Sequence, residues 1–174
     1  LPPGTSDRGW LRAFRAVVPS AVRSFAPDVL VTQCGCDTHH EDPLANLELS
    51  VDGQRTAIAE LHELAHDVAD GRWLAFGGGG YGVVRCVPRT WTHLIAEASG
   101  QPVELGTLIP VEWLDYLRAR GARVEPPERM GEGRDLTSIE PWMPGGETWL
   151  DRAIGATRNA SFPLFGLDPD DPRD

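Results

Sequence analysis

Four consecutive glycines, Gly77-Gly78-Gly79-Gly80, most constrain what this chain can fold into. Glycine adds no side chain to a core and loses more backbone freedom on folding than any other residue. A run of four is therefore explained by main chain that must come very close to something else. The residues before it, Arg72-Trp73-Leu74-Ala75-Phe76, read as a short buried strand. The glycine loop thus starts at a strand end and holds Tyr81 there. Earlier in the chain, Val29-Leu30-Val31-Thr32 reads as a second buried strand that runs into Gln33-Cys34-Gly35-Cys36-Asp37. Strand ends along one edge of a parallel sheet are where open α/β folds build their sites. Asp37 and Tyr81 are expected to face one pocket.

The rest of the chain supports an α/β reading. Trp10, Leu11, Phe14, Val17, Val18, Ala21, Val22 and Phe25 recur at helical spacing, with Asp7 as the expected N-cap and Pro19 as an expected kink. A second helix is predicted from about Asp52 to Asp70, with Gly71 as its stop. His62 and His66 lie one position off its apolar stripe and read as surface or boundary residues, although their i,i+4 spacing is one that can bind metal. A third helix opens near Pro88 and runs to Ala98. Alternating helices and strands give α/β architecture with parallel strands. After Gly100 the pattern changes. Val111–Arg120 and Thr148–Arg158 read as helices, residues 121–146 as irregular chain, and the charged tail from Asp168 as frayed.

Bulk properties exclude more than they assign. A length of 174 residues suits one domain with a sizeable core. A net charge of −10 argues against nucleic acid or an anionic membrane as the main partner. No apolar run approaches the roughly 20 residues that span a bilayer. The chain starts at Leu1 without a methionine, so the lack of a signal peptide decides little. Three cysteines without framework spacing fit reduced thiols in a cytoplasmic protein. Cys34 and Cys36 read as small buried residues rather than a metal pair.

Two stretches carry chemistry. Gly77-x-Gly79-x-x-Gly82 after a strand matches the dinucleotide fingerprint literally. That fingerprint should open straight into a helix whose N-terminus holds the pyrophosphate, yet Val83-Val84-Arg85-Cys86-Val87-Pro88 intervenes. A nucleotide-binding domain is therefore an alternative rather than the main reading. Tyr81 has two readings: a structural tyrosine with its hydroxyl satisfied, or a phenol that donates to a carbonyl oxygen as it becomes an oxyanion. Asp37 likewise reads either as a loop cap or as a hard oxygen ligand for a metal such as Zn²⁺.

Taken in order, Gln33-x-Gly35-x-Asp37, Asp42-Pro43-Leu44, Gly77-Gly78-Gly79-Gly80-Tyr81 and Arg89-x-Trp91-Thr92 resemble the histone deacetylase / acetoin utilization protein family. The leading Leu1-Pro2-Pro3-Gly4-Thr5 and the ending Trp149-Leu150-Asp151-Arg152-Ala153-Ile154…Phe162-Pro163-Leu164 are similar to it too. The resemblance covers essentially the whole chain but only about the C-terminal half of a family member. It implies part of an arginase/deacetylase-like three-layer fold, a parallel sheet flanked by helices. Residues 1–100 would be a catalytic-core segment, and 101–174 would supply C-terminal helices, an irregular region and the tail. It implies zinc-dependent hydrolysis of the amide of an acetylated lysine or a small acyl-amine, with Zn²⁺ or Fe²⁺ as cofactor. Asp37 would be a metal ligand and Tyr81 the catalytic phenol. Gly78, Gly79 and Leu44 would line the substrate channel.

The family's paired histidines and its Asp-x-His ligand pair lie upstream of the matched region. Asp37-Thr38-His39-His40-Glu41-Asp42 imitates that Asp-x-His-His motif but lacks its Gly-Asp-Gly continuation, so His39 and His40 read as loop residues. The expected partner is the missing N-terminal half, and the chain alone is expected to be inactive. One sheet edge or face should then be exposed. The alternatives are a nucleotide-binding α/β domain and a non-catalytic remnant that only binds partners or acylated ligands.

Overall fold

The computed structural model describes residues 1–174. Strands β1 (Leu30–Gln33) and β2 (Trp73–Phe76) pair in parallel, with Leu30 opposite Trp73 and Gln33 opposite Phe76. Parallel neighbours need a crossover, and helix α2 (Val51–Ala69) supplies it. Helix α1 (Asp7–Phe25) precedes β1, and α3 (Val87–Ala98), α4 (Val111–Ala119) and α5 (Trp149–Ser161) follow β2. A 3-10 turn, Phe162–Phe165, closes the helical part. The α/β reading with a parallel sheet therefore holds.

Local chemistry fixes the ends of these elements. Ser50 caps α2 by accepting from the Gly53 N–H, and Asp70 in left-handed conformation ends it ahead of Gly71. Ser6, not Asp7, is the N-cap position of α1. Asp7 is drawn elsewhere: its carboxylate accepts from the Ser50 N–H and hydroxyl, both at 2.7 Å, and so ties α1 to the start of α2. Helix α1 continues through Pro19 to Phe25. Arg15–Glu60 and Arg23–Asp67 ion pairs run along the α1–α2 contact.

The two strands are not buried as the sequence led us to expect. Helices α2 and α3 cover one face of the sheet. The other face is bare: Val31 is 58% exposed, Leu74 49% and Phe76 52%. Parallel strands are apolar on both faces because helices normally cover both. Here only one helical layer is present, and only 36 of 174 residues are buried, a thinner core than the length led us to expect. No helix is long and apolar enough to cross a membrane.

The tail also departs from expectation. Arg158 of α5 is almost fully buried and lies over the Trp142 and Phe162 rings. It donates to carbonyls of Ala16, Asp168, Pro169, Asp171 and Asp174. A buried guanidinium must be satisfied, and the tail wraps it rather than fraying. Helix α5 starts with a capping box between Thr148 and Asp151, and Asp151 also pairs with Arg12 of α1 at 2.7 Å.

Candidate active site

Beyond the last strand pair, the loops from β1 and β2 keep bonding. Cys34 N–H donates to the Phe76 carbonyl and Cys36 N–H to that of Gly79, both at 2.7 Å. This contact is why Gly78, Gly79 and Gly80 are needed, while a Cβ on Gly77 would meet the Trp91 ring of α3 at 3.2 Å. None of Gly77–Gly80 has a positive φ, so conformational freedom is not the cause. A Cβ on Gly78 would lie 2.2 Å from Gln33 Nε2, on Gly79 2.0 Å from Asp37 Oδ2, and on Gly80 2.4 Å from Cys36 Sγ. The glycine loop lies flat against the very loop that carries Asp37.

Asp37 is half-buried, with its carboxylate against the Gly79 backbone. No hydrogen bond engages either oxygen, unlike Asp42 five residues later, so the loop-cap reading is not what the geometry gives. Tyr81 is 48% exposed, and its hydroxyl has no partner. A hollow of 390 Å³ beside Tyr81 is lined by Pro43, Val83, Val84 and Val124 among others, and not by Asp37. Main chain brings the two residues together, but within this chain they do not share one pocket as expected. Gly78 and Leu44 are exposed and Gly79 is half-buried.

The histidines of this loop are structural. His39 is fully buried, and its Nδ1 accepts from the Glu41 N–H. Its Nε2 must then carry the proton that goes to Glu132 Oε1, at 2.9 Å. His40 Nδ1 lies 3.2 Å from the Leu49 carbonyl. His39, His40 and Glu41 sit close enough to hold a cation, but both nitrogens of His39 are already engaged. Glu132 also takes the buried Arg89 guanidinium at 2.7 Å. Burial would raise its pKa, but the hydrogen bond of His39, with the hydrogen bond and charge of Arg89, outweighs that and holds it at about 2. His62 and His66 lie at the end of α2, with His66 exposed and His62 stacked on Trp73.

Several supporting residues had no role assigned to them from the sequence, although Trp91 lies in one of the stretches that carry the resemblance. Gln54, buried in the first turn of α2, donates to the Cys36 carbonyl and the Thr38 hydroxyl and accepts from the Thr90 hydroxyl. Trp91 donates to the Cys34 carbonyl at 3.1 Å. Cys36 and Cys86 are fully buried against each other's loops, as expected of packed thiols, whereas Cys34 is only half-buried beside the Thr32 hydroxyl. Burial, opposed only by the Thr32 hydroxyl, pushes the Cys34 thiol up. The Cys86 and Val87 N–H groups both donate to the Gly82 carbonyl, so a turn over residues 83–86 separates the glycine loop from the start of α3.

The pattern that describes the histone deacetylase domain matches residues 1–98. The acetoin utilization protein AcuC of Bacillus subtilis (strain 168) is 37% identical over 110 residues, which is 63% of this chain and 28% of that protein. AcuC of Staphylococcus aureus (strain Mu50 / ATCC 700699) is 36% identical over 139 residues, 80% of this chain and 36% of that one. The chain thus spans about a third of the length of the curated relatives it matches. A crystal structure of an HDAC homolog complexed with SAHA superposes with a TM-score of 0.65 at 24% identity, covering 92% of this chain and 40% of the other. The HD domain of HDA15 superposes with a TM-score of 0.50 at 24% identity, over 67% of this chain and 33% of the other. These likenesses show that the fold is the α/β fold of deacetylases.

Proposed function

Because this chain belongs to the histone deacetylase family, we propose that it is the part of a zinc-dependent deacetylase that supplies one metal ligand, Asp37, and the catalytic phenol, Tyr81. One observation carries the reading: an unpartnered carboxylate and an unpartnered phenol stand at the ends of two adjacent parallel strands, joined by a loop contact that only glycine allows. The substrate is the amide of an acetylated lysine or a small acyl-amine, in line with the acetoin utilization proteins it is similar to. Its place is the cytoplasm, where Cys34, Cys36 and Cys86 stay reduced.

The Asp37 carboxylate suits a hard cation, Zn²⁺ or Fe²⁺, because it is half-buried and nothing else holds it. A catalytic zinc takes about three protein ligands, and this chain offers one free donor at the strand ends. The metal would lower the pKa of a bound water and polarise the acyl carbonyl. Tyr81 would donate its proton toward the oxyanion of the tetrahedral intermediate, an interaction worth roughly 3–4 kcal/mol in the transition state. Gly78 and Gly79, with no side chains, would let the acyl-lysine stem pass along the main chain, and Leu44 would stand at the rim. The other ligands and the general base would come from the part of the domain that the longer relatives have and this sequence lacks. The bare apolar sheet face, with Val31, Leu74 and Phe76, supports that assignment.

The test is to assay an acetyl-lysine peptide with the chain alone and with the chain joined to the preceding part of a family domain. The reading predicts metal-dependent hydrolysis only in the joined form. Equal inactivity in both, with acetyl-lysine binding retained, would favour a non-catalytic binding role.

A further inference from the structure

We propose that Asp42 is the positioning residue that fixes both Tyr81 and Leu44, through the two oxygens of one carboxylate. The inference rests on the roles given to Tyr81 and Leu44 above. Asp42 is 8% exposed and has no cationic partner. Its Oδ2 accepts from the Tyr81 N–H at 2.9 Å. Its Oδ1 accepts from the Leu44 N–H at 2.9 Å and the Ala45 N–H at 3.3 Å. Burial of the carboxyl would raise its pKa, but the main-chain N–H groups of Leu44, Tyr81, Ala45 and Gly82 outweigh this and hold it below the usual range.

A buried negative charge met only by main-chain donors is unusual, because a paired cation is the ordinary solution. Its effect is geometric. Leu44 and Tyr81 lie on separate loops, yet each takes its backbone position from the same group. Gly77–Gly80 cannot hold Tyr81 by side-chain packing. Gly82 after it does not either, so the Asp42 carboxylate is what sets the phenol's starting point. Asp42 itself is seated by its own N–H, which donates to the His39 carbonyl at 2.9 Å. His39 is bonded to Glu132, which the Arg89 guanidinium holds in turn. The phenol is therefore registered to the Asp37 loop through a rigid chain of contacts.

Asp42→Asn separates the two tethers. Its remaining carbonyl oxygen can keep the Leu44 and Ala45 turn, while its NH₂ group faces the Tyr81 N–H, donor against donor. The test is amide hydrogen exchange on the chain, with 3-fluorotyrosine as a probe of the ring. Only Tyr81 and Tyr116 are present, so two fluorine signals report. The proposal predicts that Asp42→Asn lowers protection at the Tyr81 amide about tenfold or more, the expected loss of one hydrogen bond to a charged acceptor. Leu44 and Ala45 should stay protected, and the Tyr81 fluorine signal alone should move. Unchanged protection at Tyr81 overturns the proposal. So does equal loss at Leu44, Ala45 and Tyr81, which would make Asp42 a general structural anchor. If the variant does not fold, the unaltered chain decides: Tyr81 and Leu44 amides must exchange more slowly than that of Val83, and equal rates overturn the proposal. Exchange reads the tether whether or not Tyr81 serves hydrolysis, so this result stands apart from the fate of the enzymatic reading.

Discussion

Replacing Gly79 with alanine would place a methyl carbon 2.0 Å from Asp37 Oδ2 and 2.6 Å from its Cγ. Such contacts do not form below 3.0 Å, so something must retreat by at least about 1 Å, the difference between 3.0 and 2.0 Å. Two features decide what moves. The Asp37 side chain is held by no hydrogen bond, whereas the Gly79 carbonyl is fixed by the Cys36 N–H at 2.7 Å. The carboxylate therefore yields and the backbone stays. The stability cost should fall at the low end of the ~1–3 kcal/mol typical of overpacking. For a chain of this size that is a fall in Tm of roughly 2–4 °C. The functional cost should be far larger, because a displacement of about 1 Å in a catalytic group can cost ~10²-fold in rate. Thermal melting of the chain measures the first, and zinc affinity and deacetylation in the completed domain measure the second. Gly106→Ala is the control, since its Cβ meets nothing within 4 Å. Wild-type zinc affinity and rate in Gly79→Ala would refute the reasoning. A fall in Tm of roughly 10 °C or more would also refute it, because the backbone would then have moved instead.

Three further outcomes are expected. Gly35→Ala sets a Cβ 3.0 Å from the Gly79 nitrogen and 3.2 Å from its oxygen, both backbone, so it should destabilise the chain more than Gly79→Ala in the same melt. Glu132 has a folded pKa of about 2, below its free value, so its contribution is present above the free-glutamate range and is lost as pH falls from there toward 2. Melting followed against pH should show this loss in the wild type and not in Glu132→Gln, which should itself lose about 3 kcal/mol, the low end for a broken buried pair, because Arg89 loses its counter-charge but keeps its carbonyl partners. Leu74→Asp, on the bare sheet face, should change the stability of the isolated chain by less than about 0.5 kcal/mol yet prevent its assembly with the rest of the domain, read by co-purification.

Particular residues show how far the sequence could be read. The strand and helix positions follow from apolar periodicity, and the glycine run pointed to a close backbone approach that the Asp37 and Gln33 contacts now explain. The exposure of Val31 and Leu74 was not legible in the strands themselves. An apolar run has the same sequence whether one helical layer covers it or two, and only the resemblance raised the prospect of an exposed face. Arg158 could not be recognised as the anchor of the tail, because its partners are carbonyls that any residue carries. The anchoring role of Asp42 was hidden for the same reason: its partners are main-chain N–H groups, and nothing in a string of residues says which amide a carboxylate will meet. Glu132 and His39 are ninety-three positions apart, a pairing that only folding reveals.

The most direct test of the central claim is the rate of Tyr81→Phe in the completed domain, with zinc content measured on the same sample. The account predicts a loss of roughly 10²–10³-fold in kcat, the effect of removing one oxyanion donor, with zinc content unchanged. A variant that hydrolyses acetyl-lysine at the wild-type rate would contradict it, and Tyr81 would then be a rim residue with no part in the chemistry.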